Sequence, residues 1–177
     1  VAVNAGTITR YTISPEDSSL TIAARSTLHA VQIQAAGLQG FVEASWNADG
    51  TLATEPQPKM HVEFSIDQLK SGNGMQDREM QKLVDAKRFP KAAADLRKLE
   101  PSPSPNRYEA VGEVTLSGRS RTYNGEFLIA NGGDSITVEG DLTLDIRDFG
   151  LTPPSLLILR VDPVLRVRLR LVARNAA

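Results

Sequence analysis

A chain of 177 residues with 41% hydrophobic and 23% charged residues has the balance of one globular domain, able to bury roughly 70% of the surface its unfolded form exposes. Its net charge of −1 supplies no overall attraction to nucleic acid or anionic membrane. The absence of cysteine excludes disulfides, thiolate catalysis, iron–sulfur clusters and cysteine-bound zinc, and is compatible with a cytoplasmic or an exported protein.

Residues 1–6 read as a flexible N-terminus ahead of a single domain over 7–177. No basic and apolar leader pattern is visible there, and the lack of an initiator Met makes a trimmed N-terminus the expectation. From Tyr11 onward the dominant period is two. Tyr11-Thr12-Ile13 and Leu20-Thr21-Ile22-Ala23 flank a Pro15-Glu16-Asp17 turn. Val31-Gln32-Ile33-Gln34 alternates, breaks at Ala35-Ala36-Gly37, and resumes over 38–46 ahead of the turn Asn47-Ala48-Asp49-Gly50. Met60, Val62, Phe64 and Ile66 form an apolar row opposite His61, Glu63 and Ser65.

The stretch SGNGMQDREMQKLVDAKRFP, residues 71–90, departs from that period. Asn73 and Gln76 resemble a capping pair, and Asp77 places negative charge in a first turn. Met75, Met80, Leu83 and Val84 are spaced to share one helical face, and Pro90 stops any continuation. The spacing predicts a short amphipathic helix over about 73–86, laid on the wall or across one end of a β structure.

Strands are predicted again over 108–116, 122–129, 135–146 and 161–172. Pro101-Ser102-Pro103-Ser104-Pro105 reads as a stiff surface loop and Asn131-Gly132-Gly133-Asp134 as a hairpin loop. About eight strands, several of ten residues or more, predict an all-β fold. An up-and-down antiparallel barrel is the economical form, because closure removes unpaired edges; a two-sheet sandwich is the alternative.

The candidate chemistry is sparse. His61 and Glu63 share a strand face, but the only other histidine, His29, lies on a different strand, so both are expected to face water rather than a metal. No serine occupies a G-x-S-x-G elbow, and Gly72-Asn73-Gly74 lacks the Lys-Ser/Thr pair of a phosphate loop. Arg166, Arg168 and Arg170 line one face of the last strand, with Arg160 and Arg174 nearby. They are either an anion-binding stripe or a solvated outer face, and the lack of interleaved aromatics favours the latter and no nucleic-acid partner. Leu156-Leu157-Ile158-Leu159 is far shorter than the ~20 residues that span a bilayer, so stable membrane insertion is not expected. After Thr152-Pro153-Pro154-Ser155 it is either a buried strand or an apolar lip. A lip and a Met-bearing helix together suit a container for an apolar ligand.

These motifs resemble the YceI-like family, lipocalin-like barrels associated with polyisoprenoid or other long apolar lipids. Ser71-Gly72-Asn73, Asp77, Leu83-Val84-Asp85 and Phe89-Pro90 stand where that family has its helix block. YTISPEDSSLTI (11–22) is similar to its opening strand and turn, with Ser14 where Asp is usual. GEVTLSGRSRTYNGEF (112–127) is similar to its hairpin, and LTLDIRDFGL (142–151) ends in the Arg147-x-Phe149-Gly150 step with Asp148. The helix block is about two residues shorter than the family pattern, and Leu83-Val84 replaces aromatic residues. KAAADLRKL (91–99) is more alanine-rich and polar than the usual strand.

The resemblance implies a lipocalin-like barrel that binds a long apolar lipid, by analogy an isoprenoid chain, without catalysis and without any cofactor other than that lipid. Expected inward wall positions are Ile22, Met60, Val62, Phe64, Phe127, Leu142 and Leu144. Met80, Leu83 and Val84 on the helix, with Phe149 and Leu151, are expected at the lid or rim, and Arg25, Asn73 or Arg147 are candidate polar anchors. The alternative is a structural or stress-related interaction module with a filled barrel. A homodimer is compatible with either.

Overall fold

The computed structural model describes residues 6–28, 30–152, 155–156 and 159–175. His29, residues 1–5, and Leu157 and Ile158 of the expected lip lie outside them. Eight antiparallel staves follow one another in chain order. Three are interrupted: β1 (Thr9–Ile13) continues as β2 (Ser19–Arg25), β3 (Ala30–Ala35) as β4 (Gln39–Ala44), and β5 (Lys59–Ser65) as β6 (Leu69–Lys70). The others are β7 (Lys91–Pro101), β8 (Arg107–Leu116), β9 (Arg119–Asn131), β10 (Ser135–Asp145) and, last, β13 (Val164–Asn175). Between β10 and β13, β11 (Ser155–Leu156) and β12 (Leu159–Arg160) pair only with each other.

The barrel order is β1-β4-β5-β7-β8-β9-β10-β13, and β13 returns to β1, so the sheet closes. This is a barrel and not a sandwich. β13 is long enough to serve both halves of the first stave: Ala173 opposes Ile13, and Leu169 opposes Leu20. Each interruption has a local cause. Pro15, which has no N–H to give a ladder, falls between β1 and β2. Gly37, at φ 68°, turns the chain between β3 and β4. A 3₁₀ turn at Ile66–Gln68 separates β5 from β6. The alanine-rich segment after Pro90 is the full strand β7, with a bulge between Leu96 and Lys98.

Alternation sets the two faces. Along β13, Leu165, Val167, Leu169, Leu171 and Ala173 face in, while Arg168, Arg170 and Arg174 face out. Outside, they pair with Asp141 (3.0 Å), Glu139 (2.9 Å) and Asp17 (2.9 Å). The arginine stripe is therefore a solvated outer face whose charges are largely met by the neighbouring strands.

The helix α1 spans Gly74–Leu83, three residues shorter at its C-terminus than expected. Its end is a Schellman motif: Asp85 takes a left-handed φ of 54°, and the N–H groups of Asp85 and Ala86 donate to the carbonyls of Lys82 and Gln81. At the other end, the Asn73 side chain accepts from the N–H groups of Met75 and Gln76. Asp77 does more than place charge in the first turn. It is buried, and its carboxylate accepts from the Ser71 N–H (2.8 Å) and hydroxyl (2.6 Å), fixing the entry loop. Met80 and Val84 pack on the main core and Leu83 on a second cluster around Phe149. Met75 departs from the expected face: it is 63% exposed, because at about 100° per residue it points away from the side that carries Met80 and Val84.

Candidate functional site

The two ends of the barrel interior differ. At one end, Trp46 bridges to Leu52, the loop between them closes on itself through the Asn47 N–H and Thr51 carbonyl (2.8 Å), and the Trp46 indole donates to the Tyr11 hydroxyl (2.9 Å). Of the inward side chains in this half, Val42, Leu99, Ile136, Val138 and Leu171 are buried, and Met60, Leu96 and Phe127 are partly so. The void left here is about 40 Å³, lined by apolar residues including Met60, Leu96, Phe127 and Ile129. That is far below the roughly 300–1,000 Å³ of ordinary ligand pockets.

The half nearer α1 is less filled. Leu20, Ile22, Val31, Phe64, Ala94, Val114, Leu116, Leu142, Leu165 and Leu169 all face inward by alternation and register, yet each remains partly exposed. An inward apolar side chain in a closed barrel stays exposed only where solvent-sized space reaches it from an open end. These residues therefore line an apolar mouth above the packed floor. α1, the β8–β9 hairpin and a 3₁₀ turn at Ile146–Phe149 frame it, and the Ser117 hydroxyl ties that hairpin to the Val84 carbonyl (2.8 Å).

Of the expected wall positions, Ile22, Phe64 and Leu142 lie on this surface and are partly exposed, Met60 and Phe127 line the small void of the packed half, and Val62 and Leu144 are buried. Phe149 is 1% exposed, its ring stacks on Tyr123 with centroids 6.0 Å apart, and Ile22, Val114, Leu142 and Leu165 pack against its cluster, so it is a buried part of this end and not a rim residue. Leu151 is partly buried against both clusters. The candidate anchors are engaged elsewhere. Arg25 is exposed on the outward side of β2, Asn73 caps α1, and the Arg147 guanidinium is clamped to Asp145 (Nη2–Oδ2 2.6 Å). Leu20, Val31, Ala94, Val114, Leu116, Leu165 and Leu169 are lining residues not named from the sequence. Their signal was period-two alternation, which marks a shared face without saying which part of it stays open.

The hydroxyls of the three tyrosines are satisfied, whereas the buried Ser45 hydroxyl has no partner among the described residues. Besides the Tyr11–Trp46 bond, the Tyr108 hydroxyl meets the Leu52 backbone, and the Tyr123 hydroxyl donates to Asp148 Oδ2 (2.5 Å). Burial, and then the hydrogen bond the phenol donates to Asp148, push Tyr123 up to about 12, so it remains a neutral donor. His61 and Glu63 face out as expected. His61 bonds Asp95 (Nδ1–Oδ1 2.7 Å) and Glu63 (Nε2–Oε1 3.2 Å), and Glu63 pairs with Lys91 (2.8 Å). No cluster with the makings of a metal site occurs among the described residues, and none of their helices is long and apolar enough to cross a membrane.

A closed eight-stranded up-and-down barrel with one short helix and an apolar interior defines a lipocalin-like all-β protein. The YceI-like domain model matches residues 11–173, and the chain belongs to that family. Among solved structures it resembles Burkholderia cenocepacia BcnA (16% identity, TM-score 0.75, covering 91% of this chain and 99% of that one). It also resembles a polyisoprenoid binding domain from Saccharophagus degradans (10% identity, TM-score 0.69, covering 93% and 98%). A third likeness is to the Campylobacter jejuni YceI protein (16% identity, TM-score 0.64, covering 83% and 86%). At these identities the structural likeness establishes the fold. No curated protein sequence matches the chain.

Proposed function

We propose that this protein binds a long apolar lipid chain, of isoprenoid type, in the open half of its barrel, and carries or stores it without chemical change. The observation that carries this reading is the row of inward apolar side chains left partly exposed around the mouth. Covering them with an apolar chain would remove that surface from water at about 25 cal/mol per Å². Membership of the YceI-like family supports it, as does the shared fold of a domain described as polyisoprenoid binding. Binding without catalysis fits an interior whose tyrosine hydroxyls are all occupied and whose nearest described histidine, His61, points outward.

A second reading has its own observation. The packed floor, with a void of only about 40 Å³, is what a structural module with a filled barrel would show. Organic-solvent extraction of the purified protein followed by mass spectrometry separates the two. A recurring long-chain lipid near one per chain supports the container. A clean extract, from a protein that also fails to bind an added isoprenoid alcohol, contradicts it.

A further inference from the structure

The inner face of the barrel carries charge at one place. Reading the inward positions of the described strands in register, every side chain is apolar or uncharged except Arg119 and Arg121. Both lie at the start of β9, opposite Leu116 and Val114 of β8, whose side chains belong to the barrel's apolar clusters. The same face of β9 then continues through Tyr123 and Gly125 to Phe127. One strand thus runs from two cations at the mouth to an aromatic ring in the apolar interior.

These arginines differ from those on the outer surface. Arg10, Arg97, Arg107, Arg168, Arg170 and Arg174 each pair with a carboxylate of a neighbouring segment. Among the described residues neither Arg119 nor Arg121 pairs with one. Arg121 donates to the Ser120 carbonyl (2.8 Å), and the Arg119 guanidinium lies beside Gly150, close enough that a side chain there would meet it. Two carboxylates near this hairpin have other partners: Asp145 holds Arg147, and Asp148 accepts from Tyr123. Arg25, Arg78 and Arg166 also have no carboxylate partner among the described residues, but Arg25 and Arg166 are on outward positions and Arg78 is on the exposed side of α1.

We propose that Arg119 and Arg121 hold the anionic head group of the bound lipid, a carboxylate or a phosphate, at the mouth of the barrel. The inference rests on the interior holding an apolar chain. A head group drawn deeper would meet no opposite charge at the inward positions of the described strands, which is costly, so it stays at the rim. There a pair of guanidinium forks matches the planar or tetrahedral oxygens of an acid. The two arginines then select for charge, while the apolar row selects for the chain.

The test uses the delipidated full chain and displacement of the neutral fluorophore N-phenyl-1-naphthylamine. Three probes share one chain: geranylgeraniol, geranylgeranoic acid and geranylgeranyl monophosphate. The wild type is expected to bind one or both acids about tenfold or more tightly than the alcohol, as charge-assisted hydrogen bonds allow, with the preference shrinking as salt rises. Arg119→Gln with Arg121→Gln should remove the preference and leave the affinity for the alcohol unchanged; the Lys pair should keep part of it. The better-bound acid identifies the head group as carboxylate or phosphate. Equal binding of alcohol and acids by the wild type, or a preference untouched in the Gln pair, overturns the head-group site and leaves the container standing. Failure of all three probes to bind the wild type overturns both.

Discussion

The ring of Phe127 occupies the space that a side chain on Gly140, its direct partner across the β9–β10 ladder, would need. Gly125, one step further along β9, crowds the same ring: a Cβ there would stand 2.9 Å from it. Two glycines thus let one aromatic ring lie at the boundary between the packed floor and the open mouth. Gly140→Val should push the ring off this position and lower the melting temperature by about 2–12 °C, the range for overpacking by 1–3 kcal/mol in a domain of this size. Phe127→Ala in the same background should recover part of that loss. Additive losses in a double-mutant cycle would place the ring elsewhere.

Asn73 is a candidate anchor by sequence, but its side-chain oxygen accepts from the N–H groups of Met75 (3.0 Å) and Gln76 (3.2 Å). Asn73→Ala should therefore cost about 1 kcal/mol, or about 2–4 °C in melting temperature. Asn73→Ser, which still caps, should restore most of it and leave ligand retention intact. Lost retention in a Ser variant of wild-type stability would make Asn73 a ligand contact instead.

The outer-face cluster predicts a pH dependence. Burial alone would lower the His61 pKa, but its hydrogen bonds to Asp95 and Glu63 outweigh that and hold it above the ordinary 6.5. A base with a raised folded-state pKa contributes stability in full below its unfolded pKa and loses it as pH rises through the folded value. The melting temperature should therefore fall on going upward from about pH 6.5, by a few degrees at most, since such a partly exposed pair contributes less than about 1 kcal/mol. His61→Gln should flatten that part of the profile. An unchanged slope in the variant would assign it to other groups.

Much of the barrel was legible in the sequence because period-two alternation and turn residues are local signals. The row Met60-Val62-Phe64 and the capped helix needed no tertiary information, nor did the loop expected at Pro101 to Pro105, except that Pro101 itself ends β7 opposite Tyr108. Met75 was misplaced because its nine-residue spacing from Val84 turns the helix by about half a circle beyond whole turns, which sets the two on opposite faces. The interrupted staves were read as separate strands, since the pairing of β1 and β2 with one long β13 is a non-local property. The site was half legible for a related reason. Alternation places Leu20, Ala94 and Leu169 on an inner face, but whether that face is packed depends on side chains from strands up to about 150 residues apart in sequence. Arg119 and Arg121 were passed over because charges near a hairpin ordinarily signal a solvated edge.

Ala94 offers a discriminating substitution, since its inward side chain is small and partly exposed. Ala94→Phe should cost little stability if the space above it is open, and should block retention of a long chain. In a filled barrel it should cost about 1–3 kcal/mol instead.

The most direct measurement is methyl NMR of the delipidated protein titrated with geranylgeraniol. The methyls of Leu20, Ile22, Leu142 and Leu169 around the mouth should shift and saturate, while those of Ile136 and Leu171 in the packed floor stay in place. Mouth methyls that remain unmoved at saturating alcohol, or shifts confined to the outer surface, would contradict a lipid-binding barrel.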